Sequence, residues 1–74
     1  MSILVVWTED GQGWRQRVHD CISDAARRDS APIPYALRGD WREGSRRAVK
    51  IETPTYRDAF LIAGGFVRGR ITQA

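Results

Sequence analysis

Trp14, Val18, Cys21, Ile22 and Ala25 recur at i, i+4, i+7, i+8 and i+11, the apolar stripe of an amphipathic helix. The stripe predicts a helix over about 13–28, with Arg15, Gln16, Arg17, Asp20, Ser23 and Asp24 on its outer face. Asp24 and Arg28 make a favourably ordered i,i+4 pair, and Arg27 and Arg28 suit the negative end of the helix dipole. One such stripe cannot bury itself. It needs a sheet or a second helix, and the chain has only 74 residues from which to build one.

The flanking segments have strand periodicity. Ile3 to Trp7 is an unbroken apolar run ending at "TEDGQG", which predicts a central strand covered on both faces. Ile33, Tyr35 and Leu37 alternate with Pro34, Ala36 and Arg38, and the proline places that strand at an edge. "GDWREGS" supplies a turn, and Arg47, Val49 and Ile51 alternate along the strand that follows. Thr53-Pro54 has the form of a helix N-cap followed by proline at the first helical position. Tyr56, Ala59, Phe60 and Ala63 then form one face of a short helix, widened by Leu61 and Ile62 and stopped by Gly64-Gly65. "FVRGRIT" reads as a last strand with Val67 and Ile71 inward.

The order is β-α-β-β-α-β. It predicts a single α+β domain over 1–74, with a ferredoxin-like antiparallel sheet and two helices on one face. The first and third strands would lie in the middle and the second and fourth at the edges. The alternative is a β-α unit followed by a β-meander with a short peripheral helix.

Chemistry is sparse. "DGQGW" places Gly-x-Gly between strand and helix, but Gln16 stands where a dinucleotide fingerprint needs glycine and no P-loop lysine follows. His19 is the only histidine, and Cys21 two residues on lies on the apolar stripe. Adjacent helical residues diverge by about 100°, so His19, Asp20 and Cys21 do not converge as a nucleophile and base or as a metal site. No pair of carboxylates sits in an apolar context suited to acid-base work. The expectation is a protein that is not an enzyme and holds no cofactor or metal. "MSILVVWTED" has no basic n-region and no small-residue cleavage site, and a lone cysteine builds no disulfide framework, so the expected location is cytoplasmic, away from the membrane.

Charge points to a surface. Residues 1–34 carry four Arg against five acids, while residues 35–74 carry seven Arg and one Lys against four acids. Arg binds phosphate and carboxylate with a planar fork, unlike Lys. Within "RGDWREGSRRAVK", Arg38 ends an edge strand, Trp41 and Arg42 fall in the turn, and Arg46 and Lys50 share a strand side that Arg47 does not. Arg68 and Arg70 share one side of the last strand with Phe66. With Val49, Ile51, Val67 and Ile71 toward the helices, Arg46, Lys50, Arg68 and Arg70 fall on the open sheet face. Trp7 and Trp14 take core positions, whereas Trp41 is either a lid on the core or an exposed anchor.

Arg38, Trp41, Arg42, Arg46, Arg47, Lys50, Arg68 and Arg70 are therefore the candidate partner-binding residues. An open basic sheet face resembles the RNA-recognition motif, and "GGFVRGRI" echoes its aromatic, glycine-containing strand. The third strand, "RAVKIE", departs from that pattern by lacking an aromatic. Three functions are compatible with these features. The first is a small stand-alone inhibitor or adaptor docking on a protein or nucleoprotein complex. Such domains are typical of phage and other mobile-element genes, anti-CRISPR proteins among them. The second is a direct RNA- or DNA-binding module using the Arg-rich face. The third is a small ribonuclease toxin. Burial of the open face in a homodimer is the structural alternative to all three.

Overall fold

The computed structural model describes residues 1–73. Its elements are β1 (Ser2–Glu9), α1 (Trp14–Asp29), β2 (Ala36–Glu43), β3 (Arg46–Thr53), α2 (Tyr56–Ala63) and β4 (Gly69–Gln73). The strands form one antiparallel sheet in the order β2-β3-β1-β4. This is the ferredoxin-like arrangement, with the most apolar strand in the middle, and it excludes the meander.

Alternation along β1 divides the molecule. Ser2, Leu4 and Val6 are fully buried beneath the helices, joined by Val49 and Ile51 of β3 and by Ile71 of β4. Val18, Ile22 and Ala25 of α1, and Ala59 and Ile62 of α2, close this core from the other side. Each fully buried Leu or Ile contributes about 1.5–3 kcal/mol. The predicted stripe of α1 is the observed one, although Cys21 is only half buried. Arg27 rather than Arg28 pairs with Asp24, one residue nearer along the helix.

Four local expectations are corrected. Trp41 is not in a turn: β2 continues through Glu43, and Gly44-Ser45 alone reverse the chain, with Gly44 at φ +63°. Primed hairpin turns require such a positive φ, and an edge strand accepts the charged residues that disguised β2 as a loop. The N-cap of α2 is Thr55, whose hydroxyl accepts from the Asp58 amide at 3.1 Å. Thr53 belongs to β3, where it pairs with Ser2 and donates to the Thr55 carbonyl.

Tyr56 and Phe60 do not face the core. Ala59 and Ile62 do, and the two aromatics stack on each other in solvent with centroids 6.4 Å apart. At its C-terminal end α2 lies close to the sheet. A Cβ on Gly69 would come within 3.2 Å of the Ala63 Cβ. Val67 is exposed rather than inward, because β4 starts only at Gly69 and Phe66 folds onto the core in its place.

Candidate nucleic-acid interface

No helix among the described residues is long and apolar enough to cross a membrane, and among them no three metal-ligating side chains cluster. The Cys21 thiol is pushed above its ordinary pKa by burial first, then by Asp24 and Asp20. His19 is exposed, and its Nδ1 is hydrogen-bonded to the Tyr35 hydroxyl, whose pKa burial also raises. The pair edges a groove of about 470 Å³ between α1 and β2, lined mainly by Gly13, Gln16, Val18 and Leu37.

The sheet face turned away from the helices has a different character. Register defines its rows. Trp41 on β2 lies beside Ala48 on β3, which lies beside Trp7 on β1. Trp7 donates its backbone N–H to the Arg68 carbonyl, which extends that row to Arg68. In the next row Gly39, Lys50, Val5 and Arg70 lie side by side. Arg46 lies at the far end, between Glu43 and Glu9. The sharing of one face by Arg46, Lys50, Arg68 and Arg70 is therefore real.

Trp7 is buried, but not in the main core. It lies on the open face, with the Arg68 guanidinium carbon 4.2 Å from its ring centroid. Its indole Nε1 is buried and has no hydrogen-bond partner. Ala48, between Trp41 and Trp7 in this row, is fully buried although no helix covers it. Trp41 is neither a lid on the helix-side core nor a turn residue. It is 42% exposed on the sheet, and its Nε1 donates to Glu43 at 3.1 Å.

Ion pairing sorts the arginines. Arg47 binds Asp10 at 2.8 Å and Asp40 at 3.0 Å, and Arg42 binds Asp10 at 3.2 Å. This network lies on the helix side, where Arg47 also approaches the Trp14 ring. Arg38 sits at a β-bulge and pairs with Glu52. Arg57 joins the start of α2 to Asp29 at the end of α1. Among the described residues, Arg46, Lys50, Arg68 and Arg70 have no acidic group within salt-bridge distance.

Of the eight candidates from sequence, Trp41, Arg46, Lys50, Arg68 and Arg70 come together on the open face with free faces or charges. Arg38 lies at its edge with its charge matched, and Arg42 and Arg47 belong to the opposite side. Sequence reasoning put Trp7 in the core and gave Asp10 no role. The parity of β1 held the signal for Trp7, because Leu4 and Val6 cannot share a face with it. Comparison with protein families, with curated proteins and with solved structures finds no match.

Proposed function

We propose that the chain is a nucleic-acid-binding module whose open sheet face grips the phosphate backbone. One observation carries this reading: the unpaired cations Arg46, Lys50, Arg68 and Arg70 share a face with the exposed Trp41, while the other candidate arginines are matched to carboxylates. Gly39 strengthens the reading, because a Cβ there would meet nothing within 4 Å, and the flank of Lys50 is left open. Of the residues on which inhibitor-type docking was expected to rest, Arg42 and Arg47 are ion-paired to Asp10, whereas Arg46 and Trp41 lie on the open face.

The test is the salt dependence of binding to labelled oligonucleotides, followed by anisotropy. Each neutralised phosphate contributes a slope of about −0.7 to −0.9 in log K against log salt, so four cations give roughly −3. Lys50→Ala with Arg70→Ala should lower the magnitude of that slope by about 1.5. Absence of binding to single- and double-stranded probes at low salt contradicts the reading and leaves the face to an acidic protein partner.

A further inference from the structure

The rows of the open face are not equivalent, and the difference bears on the form of nucleic acid bound. Lys50 and Arg70 flank Val5 in a row of point charges suited to phosphates. The adjacent row holds two indoles and one arginine. A duplex keeps its base faces stacked on one another, so flat aromatic surfaces offer it nothing. An unpaired strand exposes base faces, and each can stack on a ring.

Trp7 supplies the second, independent observation. Only 7% of it is exposed, yet no helix covers it; an unpaired guanidinium does. The indole N–H is itself buried and, among the described residues, has no acceptor. Buried N–H groups are ordinarily satisfied, and those that are not mark a place where a partner is missing. Among the described residues Arg68 has no carboxylate partner, and the cation–π contact to Trp7 is what holds its head. A phosphate competes well for it, because guanidinium–phosphate hydrogen bonds are charge-assisted.

We propose that this face selects single-stranded nucleic acid, with one base stacking on Trp41 and a second on Trp7 once Arg68 has turned from the ring to a phosphate. The uncovered Trp7 N–H then donates to an oxygen of the ligand. Lys50 and Arg70 hold the backbone alongside. The proposal rests on the reading above and adds strand state and base contact to it. Nothing in it calls for sequence specificity, since every base has a π-face.

The experiment uses the whole chain and three probes: an oligothymidylate of roughly a dozen nucleotides, a blunt duplex of equal length, and heparin, a polyanion without bases. Binding is followed by anisotropy or competition, and stacking by quenching of tryptophan emission. The expected result is tightest binding to the single strand, with quenching by the oligonucleotide and none by heparin. Trp41→Leu should weaken oligonucleotide binding about ten-fold or more and leave heparin affinity unchanged, while Trp41→Phe retains most of the affinity. Arg68→Ala should weaken both the oligonucleotide and heparin, because it removes a phosphate ligand. Equal affinity for all three probes without quenching overturns base stacking and leaves a simple polyanion surface. Preference for the duplex overturns it as well. Failure of all three to bind overturns the nucleic-acid reading itself.

Discussion

The Arg68 guanidinium sits over the Trp7 ring, 4.2 Å from its centroid, on the side of the sheet that no helix covers. Trp7 is thereby nearly buried while remaining part of a surface, and the cation above it has no counter-ion among the described residues. The same residue types on the helix side behave differently. There Arg47 approaches Trp14 but is also clamped by Asp10 and Asp40. That difference in pairing separates a structural arginine from one available to a ligand.

Arg42→Ala should leave oligonucleotide affinity within about two-fold of wild type, whereas Arg70→Ala should reduce it several-fold at low salt. Both positions are exposed and cationic, so net charge alone predicts equal effects. Anisotropy at one ionic strength separates the two cases, and equal losses would show that pairing to Asp10 does not sequester Arg42.

Asp10→Asn should destabilise the fold by about 1–3 kcal/mol without changing the ligand surface. The Asp10 side chain is 13% exposed and receives both Arg42 and Arg47, so its loss leaves Arg47 partly buried with one carboxylate fewer. Urea melts measure this. An unchanged midpoint would place the network among the surface ion pairs that contribute nothing.

Gly69→Val should cost about 1–3 kcal/mol, since the added branch meets Ala63 and Leu4 where even a Cβ lies at 3.2 and 3.5 Å. Ala63→Gly in the same chain should recover part of the loss by removing the nearer clash. Thermal unfolding of the single and double variants checks this, and additivity of the two effects would mean that the residues do not compete for space.

The pH dependence of stability has a defined sign. Burial raises the pKa of the Cys21 thiol in the fold, so the folded state holds the proton more tightly than the unfolded state. The resulting stabilisation is complete below the ordinary thiol pKa and is lost as pH rises through the raised one. The same desolvation raises Tyr35 and acts in the same direction at higher pH. Denaturant midpoints should therefore fall on the alkaline side, and Cys21→Ala should flatten the earlier part of that fall. A Cys21 that reacts with iodoacetamide at pH 8 as fast as free cysteine would contradict the raised thiol.

The fold was legible because its signals were periodic. The α1 stripe, the apolar β1 run and the two β-α-β units all survive in the structure, and β2 lies at the edge as expected, although it starts at Ala36, after Pro34, and runs through Arg38 instead of ending there. Residues whose placement depends on how one element rotates against another were harder to read. Tyr56 and Phe60 share their expected face with Ala59 and Ala63, but the helix is rotated so that Ala59 and Ile62 are buried while the two aromatics stand in solvent. Trp41 looked like a turn residue because edge strands tolerate charge. The basic face was readable from strand parity, whereas matching Arg42 and Arg47 to Asp10 required contacts more than 30 positions apart in sequence.

The central claim is that the open sheet face, and not the helix face, binds nucleic acid. Two-dimensional proton–nitrogen NMR of the chain titrated with an oligothymidylate tests it directly. The predicted shifts fall on the indole N–H signals of Trp7 and Trp41 and on the amides of Val5, Lys50 and Arg70, with the Trp7 indole moving downfield as it gains an acceptor. Shifts confined to α1, α2 or the Tyr56–Phe60 pair, with the Trp7 and Trp41 indoles unmoved, would contradict it.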